Sequence, residues 1–195
     1  EDSSYALLRS SDVNRFIVVW VEQEWRKDPN EGWKWAWWTD WDWSRPADNP
    51  DIILLGKIVE KIEQEYNVDT TRIFASGHSR GAAMALIAAL EMPDVIAGSA
   101  VESGFTEFVY FTRIVAHQGR KTPIVLVHGV LDMDVPIAKG GDDVAKDLRS
   151  AGWTDDNLLY FRLANVGHRW QPQLNQEWFE FLAAQEGIDE VNFWQ

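Results

Sequence analysis

The chain contains no cysteine. That removes both a disulfide framework and thiolate metal ligation from consideration, and it leaves the redox compartment unread, because zero cysteine suits cytoplasm and secretion equally. Basic residues are also few. Eighteen Lys and Arg stand against thirty-one Asp and Glu, a formal net charge of −13. With a pI near 4.6, neither nucleic acid nor an anionic membrane is an expected partner, since both need a basic patch. Long hydrophobic runs are absent too; the longest, within Ala82 to Leu90, is too short to span a bilayer. The opening Glu1-Asp2-Ser3-Ser4 has neither the basic region nor the apolar core of a signal peptide. With no initiator Met, the sequence reads as a processed or truncated chain. Histidine, at four residues, forms no cluster with Asp or Glu at ligand spacing, so neither metal nor cofactor is expected.

What is present describes an ordinary globular protein, 46% hydrophobic and 25% charged over 195 residues. The length suits one domain, 1–195, with a full core. Tryptophan is the exception: there are twelve, and seven fall between Trp25 and Trp43.

Apolar periodicity divides the chain into alternating elements. Ser4 to Arg15 reads as a short amphipathic helix, and the unbroken run Phe16 to Val21 as a strand buried on both faces. Residues 22–50 read as a long non-repetitive loop or lid. Asn49-Pro50-Asp51 opens a helix whose apolar stripe is Ile52, Leu55, Ile58, Val59, Ile62 and Tyr66. Strands are expected at 72–76, 96–101, 123–128 and 158–163, with helices to about Met92, over 105–118, over 139–151 and over 173–184. Strands alternating with helices, most of them uniformly apolar, imply a mostly parallel central sheet with helices on both faces.

The chemistry centres on Gly77-His78-Ser79-Arg80-Gly81, which joins a β-rich run to an Ala-rich helix. This is the strand–turn–helix setting of a nucleophile elbow. The flanking glycines are read as leaving no room for side chains where strand and helix meet. Ser79 would stand beside a helix N-terminus, where the Arg80 amide can receive a developing oxyanion. The bland alternative is an ordinary Gly-rich turn.

A serine needs a base, and the base an orienting acid. His78 adjoins the serine on a strained turn and is read as pointing away. His117 lies in a helix and His128 ends a strand. His168 follows the last strand, where α/β sheets gather their sites, and is taken as the general base. The loop His128 to Pro136 offers Asp132 and Asp134 as the acid. The aspartate not used would be a turn or capping residue.

At these residues the sequence resembles the α/β-hydrolase branch of polyhydroxybutyrate depolymerase-like and feruloyl or acetylxylan esterase-like enzymes. The likeness rests on Gly77 to Met84, on His128-Gly129…Asp132…Val135-Pro136, on Gly167-His168-Arg169-Trp170, and on the segment around Gly32-Trp33-Lys34-Trp35. It implies an α/β-hydrolase fold from about residue 12 to 184. It also implies Asp132, four residues before Pro136, as the acid, and a secreted or extracellular setting. One departure stands out. Such enzymes begin with a strand ending in His-Gly whose backbone supplies half the oxyanion hole, and nothing upstream of Phe16 fits it. The sole His-Gly pair, 128–129, belongs to the acid loop. An N-terminally incomplete domain lacking its first strands is therefore expected.

Trp33, Trp35 and Trp37 alternate with period two, as an extended segment does. Indole faces suit aromatic rings and sugar C–H faces, so Trp33, Trp35 and Trp170, with Arg80, are the expected substrate contacts. Packing of the segment onto the sheet is the plain alternative. The expected activity is hydrolysis of a small or polymer-linked ester (feruloyl, acetyl or hydroxyalkanoate) through an acyl-enzyme on Ser79, Asp132 and His168. A serine peptidase of the same fold and a catalytically silent carbohydrate-binding module are the alternatives.

Overall fold

The computed structural model describes residues 11–12, 15–22, 24–28, 32–37, 44–106 and 108–185. Its centre is a four-stranded, wholly parallel sheet in the order β3-β4-β5-β6. The strands are β3 (Phe74–His78), β4 (Gly98–Glu102), β5 (Ile124–Gly129) and β6 (Leu158–Leu163). Helices α1 (Pro50–Glu65), α2 (Arg80–Glu91), α3 (Phe108–Ala116), α4 (Gly141–Ser150) and α5 (Asn175–Ala184) connect or follow them. A separate antiparallel hairpin pairs β1 (Glu24–Asp28) with β2 (Gly32–Ala36).

Side-chain alternation assigns each face of the sheet to its helices. Val101, Ile124, Leu126 and Leu158 join Leu86, Leu90, Val144 and Leu148 in one cluster. Their neighbours Ala100, Val125 and Val127 join Trp178 and Leu182 of α5 in another. Both faces of the inner strands are thus covered, and β4 and β5 are buried at every residue. Every residue of α2 from Ala82 to Leu90 is buried. Asn49 caps α1, its side chain accepting from the amides of Asp51 and Ile52 at 2.8 and 3.2 Å.

Two sequence expectations are corrected here. Phe16 to Val21 belongs to neither sheet. Phe16 stacks on Phe179 at 4.7 Å and Val21 packs on the larger core, while Ile17, Val19 and Trp20 are exposed. β-Branched composition favours a pleated, paired surface, and without a ladder partner it does not make a strand. Residues 22–50 are not wholly the non-repetitive loop or lid expected: the hairpin occupies part of them, and the period-two alternation of Trp33 and Trp35 was its signal. The expected helix over Ser4 to Arg15 falls almost wholly outside the described residues, as do Trp38, Asp40, Trp41, Asp42 and Trp43.

Candidate active site

The site assembles at the carboxyl ends of the parallel strands. β3 runs into Ser79, which has φ 58° and ψ −120°, a backbone conformation L-residues rarely occupy. The turn is forced by Gly77. A Cβ there would lie 2.3 Å from the carbonyl carbon and oxygen of Gly81. Gly81 departs from the sequence expectation, since among the described residues a Cβ on it would meet nothing nearer than Trp37 Nε1 at 3.9 Å. Among the described residues, close approach therefore constrains only the first glycine of the pentapeptide. Arg80 is the first residue of α2, so its amide has no acceptor within the helix. Ser79's own amide donates to the carbonyl of Glu102 at 2.9 Å.

Asp132 and His168 meet directly. His168 Nδ1 lies 2.8 Å from Asp132 Oδ2. Because the carboxylate is an acceptor, Nδ1 carries the proton and Nε2 keeps its lone pair. The other oxygen, Oδ1, accepts from the amides of Val135 and Asp134 at 2.8 and 3.1 Å. Burial pushes the Asp132 carboxyl up, but the Val135 amide, His168 and the Ser103 side chain outweigh it and hold it below the ordinary Asp value. Asp134 contributes its backbone to this arrangement and not its carboxylate to His168. The loops carrying Asp132 and His168 touch at Gly129, where a Cβ would lie 2.2 Å from the Val166 carbonyl oxygen. Among the described residues Ser79 Oγ has no hydrogen-bond partner.

His128, near the end of β5, supports the acid. Gly141 N–H donates to its Nδ1 at 3.0 Å, so the proton sits on Nε2. That N–H faces the Val135 carbonyl at 2.8 Å and Asp132 Oδ2 at 3.3 Å. His78 is a neighbour of the proposed base: its ring centroid is 4.6 Å from that of His168, and its buried Nε2 has no partner among the described residues. Burial, with the neighbouring His168, lowers its pKa to about 4, so it is neutral at pH 7. His117 lies elsewhere, against Arg120 and Trp153.

The expected substrate contacts divide. Trp33 and Trp35 sit at alternate positions of β2, opposite Lys27 and Trp25; their side chains lie outside the described features. Trp37 is buried in the core beside Gly81. Trp170 donates its indole N–H to Asn175 at 2.9 Å and packs on the cluster under α5. Asp132, Asp134 and His168 each bring one potential ligand atom within 4.8 Å of the others, a grouping that sequence spacing did not disclose. In it, His168 Nδ1 and both Asp132 oxygens are already engaged in hydrogen bonds.

A parallel sheet with the elbow, the Asp loop and the His loop at one edge of strand ends defines an α/β-hydrolase fold. Residues 10–185 match the phospholipase/carboxylesterase family, and the chain belongs to it. That assignment is coarser than the depolymerase-like and feruloyl esterase-like branch. A probable carboxylesterase of Oryza sativa subsp. japonica is 35% identical over 130 residues, 63% of this chain and 46% of its own length. A probable inactive carboxylesterase of the same plant is 32% identical over 117 residues, 59% of this chain and 47% of its own length. The chain thus spans about half the length of these relatives. The crystal structure of Arabidopsis thaliana SOBER1 superposes with a TM-score of 0.71 at 19% identity, covering 94% of this chain and 90% of that one. That likeness concerns the fold alone.

Proposed function

We propose that this chain is the catalytic part of a serine esterase acting through an acyl-enzyme. The observation that carries the proposal is the 2.8 Å Asp132–His168 pair at the same strand-end edge as a serine on a strained strand-to-helix turn. His168 Nε2 takes the Ser79 proton as Oγ attacks the ester carbonyl, and Asp132 stabilises the imidazolium that results. The Arg80 amide donates to the tetrahedral oxyanion. Collapse breaks the ester C–O bond, the departing alcohol takes the proton from His168, and water repeats the sequence on the acyl-serine. Leu131 and Met133, exposed on either side of Asp132, put apolar surface in the acid loop, and the acyl group proposed is of the feruloyl, acetyl or hydroxyalkanoate kind.

The test is hydrolysis of p-nitrophenyl acetate and methyl ferulate beside Ser79→Ala. Loss of a triad nucleophile lowers kcat by at least about 10³-fold, and the ratio of the two esters reports the acyl pocket. Equal turnover by the variant sinks the reading. A catalytically silent binding module is the second reading, supported by the unpartnered Ser79 Oγ and by the relative named inactive. Folded protein that turns over neither ester favours it.

A further inference from the structure

Glu102, which ends β4, and Ser103, which follows it, tie the serine turn to β5 and to the loop that carries His168. The Glu102 carbonyl accepts the Ser79 amide at 2.9 Å. The Glu102 side chain reaches the His168 loop, where Oε2 accepts the Gln171 amide at 2.7 Å. Ser103, at φ 49°, helps hold the Asp132 carboxyl below its ordinary value, and its amide donates to Val127 O of β5 at 2.8 Å. Glu102 is fully buried, and its second oxygen, Oε1, has no partner among the described residues. A carboxyl in such a place is costly unless something requires it.

We propose that Glu102 is a positioning residue for His168, fastening the loop that carries the base to the strand end that carries the nucleophile. This rests on the serine-esterase reading. Through one residue the backbone registers Ser79 and the side chain registers the loop three residues beyond His168. An apolar residue of equal size would leave the Gln171 amide buried without an acceptor. Glu102 acts as a neutral acid. Burial pushes its carboxyl up to about 8, against the opposing pull of the Gln171 amide. The titratable groups on the elements around it are His78 on β3, His128 on β5, Asp132 in the loop beyond, and His168 on the fastened loop. None of them contributes to that shift. A neutral carboxyl accepts the amide without setting a second negative charge beside the Asp132–His168 pair. Ionisation would favour hydrating the carboxylate by opening the loop.

Glu102→Gln keeps an oxygen acceptor at the same reach; Glu102→Met keeps the volume and removes the acceptor. Three readouts test the role in folded protein: exchange of the Gln171 amide, the rate of fluorophosphonate labelling, and the dependence of that rate on pH from 6 to 9. The Gln variant is expected to label within about threefold of wild type at pH 7 and to lack the decline above pH 8 that is expected of wild type. The Met variant is expected to label at least tenfold more slowly, with Gln171 exchanging at least tenfold faster than in the Gln variant. Equal Gln171 exchange in the two variants, Met labelling at the wild-type rate, or identical alkaline limbs in Gln variant and wild type would each overturn the proposal. If wild type is not labelled at all, the esterase reading fails by itself, and the exchange comparison still decides whether Glu102 holds the loop.

Discussion

At the scale of single residues, strain and burial make distinct predictions. Ser79 occupies φ 58°, ψ −120°, a conformation that costs a non-glycine residue on the order of 1–3 kcal/mol. Glycine removes that cost and adds about 0.5–1 kcal/mol of unfolded-chain entropy. Ser79→Gly is therefore expected to be inert toward esters and more stable by about 1 kcal/mol, as read by urea unfolding. No gain would mean the elbow stores no strain. Glu102 predicts a pH dependence. Its carboxyl is raised from 4.5 to about 8 in the folded chain, so the folded state binds the extra proton. Its contribution is complete below pH 4.5 and declines as pH rises to 8, at about 1.4 kcal/mol per unit. Glu102→Gln should then gain on wild type progressively between pH 5 and 8. His78 works with the opposite sign. Its pKa is lowered from 6.5 to about 4, so its contribution is present above 6.5 and is lost as the solution is acidified toward 4.

At the scale of elements, the two glycines of the elbow are not equivalent. Gly77→Ala would drive a Cβ to 2.3 Å from Gly81 backbone, which neither β3 nor α2 can yield without separating. A loss of about 3 kcal/mol or more is expected, together with loss of labelling. Among the described residues Gly81→Ala meets only Trp37 Nε1 at 3.9 Å, on a helix where Ala is favoured by about 1 kcal/mol over Gly. It should be neutral or stabilising by thermal melt. The sequence discloses one of these glycines by its pattern and misassigns the other, because a Gly-x-Ser-x-Gly string does not say which glycine faces backbone. The parallel strands were legible for a clear reason: β4 and β5 are buried on both faces, and the apolar stretches Ile96–Val101 and Pro123–Val127 mark them in the sequence. β6 was legible over the same residues, 158–163. Phe16 to Val21 carries the same composition with no ladder to join, and pairing is a tertiary fact. Asp132 and His168 were legible as strand-end residues. Glu102, His128 and His78 were not, because their roles come from register and loop contact. The one hint was a charged residue closing an apolar strand.

At the scale of the whole molecule, the charge of −13 sets a field that no single contact reveals. Anionic esters are repelled and neutral ones are not, and salt screens the difference with a Debye length of about 8–10 Å near physiological ionic strength. If the chain hydrolyses esters, kcat/KM for a succinate half-ester should rise as salt is raised from 10 to 300 mM. The value for p-nitrophenyl acetate should stay constant. Equal salt dependence would show that the acidic surface lies away from substrate entry.

The central claim is that Ser79, His168 and Asp132 form one reacting unit, although Ser79 Oγ stands without a partner among the described residues. Covalent labelling by a fluorophosphonate, read by intact and peptide mass, tests it most directly. The account predicts a single adduct on the peptide carrying Ser79. That adduct should be absent in Ser79→Ala and slowed by at least about 10³-fold in His168→Ala. A folded chain that takes no adduct, or an adduct that persists in Ser79→Ala, would contradict it.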